Sequence, residues 1–329
     1  MAKIICIGSA TKDIFFPTDE GIVLETPADV EARRKIAFEL GAKYHIMVRH
    51  EELGGCAANV ATGLCRQGHE SVCLVALGGD ETSSWIRACL EREGVDMSLA
   101  QEFQAQVSDL SAIIVDEKSG ERTIFSNHGA SKELVVDLEN EKGWECDWLF
   151  VGDLSGNWKG NLQAAIAAAR RNSVQVAFNP RQQMLHEDIA YVLNAAKDCD
   201  LLFVNKDEAT ELALGLGVDR EAAELENENF LLGELAKACP HATIALTDGE
   251  RGAWAVSSGR FFHAEAFLRK AVDTTGAGDA FASGMLGAII KGKGIEEALS
   301  WGIKNSSSSI MFYGGTKGLL DGDSLAAEF

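Results

Sequence analysis

Proline is scarce in this chain, with 4 among 329 residues. Beside 33 glycines, that scarcity excludes an extended, linker-like protein and points to tight turns between regular elements. Positive charge is short as well. Lys and Arg number 30 against 50 Asp and Glu, a formal charge of −20. Such a chain repels polyanions, which excludes nucleic acid and anionic membranes as general partners. No stretch approaches the roughly 18 consecutive apolar residues that a membrane-crossing helix needs. No basic segment leads into an apolar one at the start, so no signal peptide is expected. The eight cysteines contain no Cys-x-x-Cys, and Cys6 and Cys73 lie inside apolar runs. That pattern excludes a zinc site and a disulfide framework, and predicts buried thiols in a reducing cytoplasm. The seven histidines lack His-Glu-x-x-His spacing. No Gly-x-Gly-x-x-Gly follows the first strand, which argues against a nicotinamide dehydrogenase. No Gly-x-x-x-x-Gly-Lys-[Ser/Thr] occurs, which argues against a P-loop kinase.

What is present is a 46% hydrophobic chain, long enough for a large core. Strand-like runs at 3–7, 71–77, 148–151, 174–178, 201–204 and 243–246 alternate with helix-like segments such as 85–93 and 160–171. Short buried runs with intervening helices predict an α/β fold, a mostly parallel central sheet covered on both faces. Two stretches break the rhythm, 14–50 and 103–130. The second reads as a hairpin, strands 111–116 and 121–125 around a Gly-containing turn. Residues 1–13, 51–102 and 131–329 are therefore expected to form the core. The off-rhythm stretches are expected to build a small β-rich lid. The run Ser306–Ser309 is placed in the final helix.

The strongest chemical signal is Asp273-Thr274-Thr275-Gly276-Ala277-Gly278-Asp279. A helix pattern follows at once, with Phe281, Met285 and Ile289 on one face and Gly292 ending it. Gly276 and Gly278 let successive backbone N–H groups converge, and with the helix start they form an anion cradle. Asp279 sits at that cradle, where a carboxylate can take the proton of a hydroxyl attacking a phosphoryl group. The helix start is expected to keep it ionised; its bland alternative is an acid that merely complements the helix dipole.

This string matches the C-terminal signature of the ribokinase (PfkB-type) carbohydrate kinases, and the chain resembles that family over nearly its whole length. Gly54-Gly55-Cys56-Ala57-Ala58-Asn59 resembles its N-terminal signature. The resemblance implies a ribokinase-like three-layer sandwich and ATP-dependent phosphorylation of a small sugar-like acceptor. It implies Asp279 as base, with Gly276, Ala277 and Gly278 as anion hole. Asp13, Gly54, Gly55 and Asn59 would bind the acceptor. Asn205, Glu208, Thr247, Gly249 and Asn305 would bind nucleotide, with Glu208 holding Mg²⁺ through water. Asp273 and Thr275 match positions that hold a monovalent cation such as K⁺ in many members. A homodimer through the lid is a further expectation. Plain structural readings stand beside these: Asn205 to Glu208 is a capping-box pattern, and Asp248-Gly249 is a hairpin turn. Cys56 stands where ribokinases carry Lys, so ribose itself is not implied. A nucleoside kinase of the same fold is the alternative, with Phe15, Phe16 or Tyr44 as candidate base platforms. A non-catalytic sugar or nucleotide sensor is the other, against which the intact Gly276, Gly278 and Asp279 argue.

Overall fold

The first strand, β1 (Lys3–Ile7), is apolar on both faces and lies inside a sheet. Ile5 and Ile7 point into one core and Ile4 and Cys6 into the other, as the two-residue strand period requires. The computed structural model describes residues 1–25, 34–119, 121–138, 144–219, 221 and 223–327. Its main sheet has the order β16-β15-β14-β13-β12-β11-β1-β6. The members are β6 (Glu70–Leu74), β11 (Trp148–Gly152), β12 (Gln175–Asn179), β13 (Leu201–Asn205), β14 (Thr243–Thr247), β15 (Ala253–Ser257) and β16 (Arg260–Ala264). Pairing is parallel from β6 to β14 and antiparallel for β15 and β16.

Helices cover both faces. The Ile5 side packs α3 (Trp158–Asn172), α4 (Gln182–Ala196), α5 (Lys206–Gly215) and α6 (Glu228–Ala238). The Ile4 side packs α1 (Cys56–Arg66), α2 (Glu81–Arg92), α7 (Ala277–Ile290) and α8 (Ile295–Ser309). The result is an α/β/α sandwich, with the alternation of short apolar runs and helices as its cause. A short α9 (Gly322–Ala326) follows, so the serine run ends α8 but α8 is not the last helix. Cys6 and Cys73 are both fully buried and face each other in the β1–β6 register.

A separate sheet rises from this core. It has the order β10-β9-β2-β5, from β2 (Thr11–Thr18), β5 (His50–Gly54), β9 (Leu110–Asp116) and β10 (Arg122–Asn127). β3 (Ile22–Glu25) and β4 (Arg34–Ala37) pair antiparallel as a separate two-stranded sheet. The lid sheet thus begins at Thr11, ahead of residue 14, and it includes His50–Gly54. Asp13 accordingly belongs to a lid strand and not to the end of the first core strand. The apolar run 71–77 is also divided. After Leu74 the chain leaves the main sheet, Gln101 N–H donates to Val75 C=O at 2.9 Å, and β7 (Ala76–Gly78) pairs with β8 (Gln101–Phe103).

Candidate active site

Ligand-binding groups in an open α/β sheet collect beyond the carboxyl ends of the parallel strands, where the strand order switches. Here β1 lies between β6 and β11, and the chain continues to opposite sides of it. Ser9 follows β1 and Asp153 follows β11. Asn179, Asn205 and Thr247 end β12, β13 and β14. Two clefts open on this edge. One, of about 380 Å³, lies under the lid and includes Asp13, Gly55, Asn59, Asp153, Arg181 and Asp279 in its walls. The other, of about 180 Å³, includes Asn205, Thr247, Gly278 and Phe281. Asn179 and Glu208 line both. The loop before α7 runs along this junction.

That loop is shaped by its glycines. Gly276 caps α7 at φ +75°, and a Cβ there would meet Gly315 Cα at 2.5 Å. A Cβ on Gly278 would meet nothing within 4 Å, so packing does not explain that glycine and the space beside it is open. Ala277 N–H donates to Thr274 C=O at 3.3 Å, which partly occupies one expected anion-hole donor. The amides of Gly278 and Asp279 lie in the first turn, where no carbonyl one turn earlier is available to them.

Asp279 accepts a hydrogen bond from Asn59 Nδ2 at 2.8 Å, which joins the two glycine-rich segments read from the sequence. Burial pushes the Asp279 carboxyl above its ordinary value, the Asn59 amide and Cys56 thiol pull it back, and Asp153 adds to the rise. Desolvation is the largest cause of that rise. Asp13 is 5% exposed. Its burial raises the carboxyl, hydrogen bonds from Thr11 and Ser111 oppose that, and Asp273 and Asp279 raise it further. Gly54 serves Asp13, since a Cβ there would lie 2.0 Å from Asp13 Oδ2. Gly55, at φ +93°, lines the cleft itself.

On the other side, Asn205 and Glu208 form a full capping box at the start of α5, with Glu208 Oε2 accepting from Asn205 N–H at 2.9 Å. Burial raises Glu208 to about 7. A near-buried carboxylate between two clefts fits Mg²⁺ held mostly by water and phosphate; no cluster of three or more metal-ligating side chains occurs among the described residues. Thr247 lines the smaller cleft, and Gly249 turns the chain at φ +50° between β14 and β15. Asn305 stands apart. It is fully buried, donates to Ala280 C=O and Ser283 Oγ and accepts from Leu320 N–H. That fixes the C-terminal loop, and Asn305 lines neither cleft.

A monovalent cation on Asp273 and Thr275 does not fit this arrangement. Asp273 Oδ1 accepts from Thr275 N–H and Oγ1 at 3.0 and 2.8 Å, and Oδ2 from Gly314 N–H at 3.0 Å. Arg122 of the lid places its Nε 3.7 Å from Asp273 Oδ1 and hydrogen-bonds Thr274 Oγ1. The carboxylate already has its positive neighbour.

The aromatics considered as base platforms do not line the large cleft. Phe15 is fully buried against Ile113, Val115 and Tyr313 inside the lid, and Tyr44 packs edge-on against Phe38. Asp153, Arg181 and His128 were absent from the residues singled out in the sequence. Asp153 carried one usable signal, its place directly after a core strand.

A family model described as pfkB family carbohydrate kinase matches residues 1–319. A ribokinase from Haemophilus influenzae is 25% identical over 78% of this chain and 80% of its own length. A fructokinase from Salmonella typhimurium is 27% identical over 88% and 84%. Among solved structures, a nucleoside kinase from Methanocaldococcus jannaschii, an archaeal member of the ribokinase family, superposes with TM-score 0.77 at 21% identity, covering 99% and 97%. A ribokinase from Cryptococcus neoformans in complex with ADP gives 0.76 at 20% identity, covering 98% of each. With the match spanning both glycine-rich segments and the sandwich between them, the chain belongs to the pfkB family of carbohydrate kinases.

Proposed function

We propose that this chain phosphorylates a hydroxyl of a small sugar-like acceptor, with ATP as donor. The carrying observation is the position of Asp279: its carboxylate, held by Asn59 at 2.8 Å, stands beside the cradle where the two clefts meet. The large cleft takes the acceptor and the smaller one the nucleotide side. Asp279 accepts the hydroxyl proton as the oxygen attacks the γ-phosphorus. The bond to the bridging oxygen breaks and ADP leaves. The amides of Gly278 and Asp279 face the charge on the transferring group. Mg²⁺, when bound, neutralises phosphate charge; Glu208 would hold it through water.

Polar atoms in the wall support a polyol. Asn59 Oδ1 is buried without a hydrogen-bond partner among the described residues, while Asp153 Oδ1 and Arg181 Nη1, 2.7 Å apart, have only each other, and all three residues line the large cleft. Hydroxyls can satisfy both kinds of atom, since each donates and accepts. The displacement of Phe15 and Tyr44 from the cleft favours a sugar over a nucleoside. A pairing of two copies through the lid belongs to the same proposal. Initial-rate ADP formation over a panel of sugars and nucleosides, with Mg²⁺ present, tests it. At least one sugar should turn over faster than every nucleoside; stimulation by nucleosides alone would sink the sugar reading.

A further inference from the structure

The charge of the large cleft narrows the acceptor further, taking the proposed acceptor role of that cleft as given. Four carboxylates line it, those of Asp13, Asp153, Glu208 and Asp279, and Arg181 is the single permanent cation among the described lining residues. The charge of Arg181 is already paired. Its Nη1 lies 2.7 Å from Asp153 Oδ1. Its Nη2 faces His128 Nε2 at 3.3 Å, and His128 Nδ1 lies 3.1 Å from Asp109 Oδ2. A guanidinium only donates, so His128 Nε2 accepts and Nδ1 carries the proton toward Asp109.

Asp153 is held in place from several sides. Ser9 Oγ donates to its Oδ2 at 2.6 Å, and Cys56 N–H donates to the same Ser9 Oγ at 3.2 Å. Its backbone sits at φ +35°, a conformation that costs free energy for a side chain with a Cβ. Such a position persists only where neighbours enforce it.

We infer that the cleft selects an acceptor without a phosphate or carboxylate group, and that the Asp153–Arg181 pair is the device that sets this selectivity. An anionic acceptor would meet Asp13, Asp153 and Asp279 with no uncommitted cation to offset them, and like charges brought together in a cleft weaken binding. An uncharged polyol meets the unpartnered Asn59 Oδ1 instead, and can hydrogen-bond the Asp153–Arg181 pair without upsetting its charge balance.

The test is calorimetric binding to the full chain of fructose, ribose and inosine, each compared with its monophosphate. Wild-type protein should bind at least one uncharged member, and its monophosphate about tenfold more weakly or worse. Asp153→Asn frees the guanidinium and should shift that ratio by about tenfold toward the monophosphate. Arg181→Gln leaves Asp153 without its cation and should move the ratio the other way, a check that does not depend on Asp153→Asn folding. Tighter binding of a monophosphate by wild type, binding of no uncharged member, or a ratio unchanged in both variants overturns the inference. Binding of an uncharged sugar with no ADP formed from ATP would sink the kinase reading and leave this one standing.

Discussion

Asp279 and Glu208 carry the predictions at the scale of single residues. Asp279→Asn retains the bond to Asn59 in size and position but cannot take a proton. Turnover should fall on the order of 10²–10⁴-fold, with ADP affinity and melting temperature close to wild type. A folded variant that binds ADP and turns over normally would remove Asp279 from the mechanism. The base works deprotonated, and its carboxyl is raised from 3.8. The acid limb of kcat/KM should therefore lie above the ordinary aspartate value. Asn59→Ala removes a donor that lowers Asp279, so it should move that limb to higher pH and raise KM; an unmoved limb would contradict the pairing. Glu208 has the opposite readout. Its folded value of about 7 against 4.5 means the native state holds a proton that the unfolded chain releases. The stability contribution is thus full below 4.5 and is lost as pH rises through about 7. Mg²⁺ favours the carboxylate, so binding of Mg²⁺ with ADP below that value should release a proton. Calorimetry in buffers of different ionisation enthalpy measures this, and Glu208→Gln should abolish it.

At the scale of elements, the lid does more than cover the cleft. β10 brings Arg122 to Thr274 and Asp273 of the anion loop, so lid and loop share a cation. Rates in K⁺ and in tetramethylammonium should therefore match, whereas Arg122→Gln should lower kcat about tenfold or more. Strong K⁺ activation of the wild type would contradict this. The element scale also explains what could be read in advance. The anion loop and α7 are legible because a phosphate cradle needs its glycines adjacent in sequence. The core strands are legible because burial on both faces leaves uninterrupted apolar runs. The start of the lid sheet is not legible because β2 alternates buried and half-buried residues from Thr11 onward, with no composition change where it leaves the core. Arg181, His128 and Asp153 come from three segments that topology alone unites, and no local pattern joins them. The rise at Asp279 is equally tertiary, for it comes from what lies over the carboxylate and not from the helix that bears it.

At the scale of the whole molecule, the outer lid exposes Ile22, Leu24 and Phe125, at 57%, 46% and 61%. β10 is an edge strand, and such an edge is a template for pairing. Light scattering should report a mass of two chains, and Phe125→Asp should shift it toward one; a wild-type monomer at all concentrations would refute lid pairing. The placement of β1 has a different kind of consequence. Its neighbour β11 starts at Trp148, and the contact of Lys3 N–H with Asp147 spans 144 residues of chain. This strand therefore cannot complete its ladder until 144 further residues have been made. Pairings of such long sequence separation form slowly because their loop entropy is spent before any contact repays it. Nascent chains arrested before β11 emerges should remain open to protease at β1, and become resistant once it has cleared the exit tunnel.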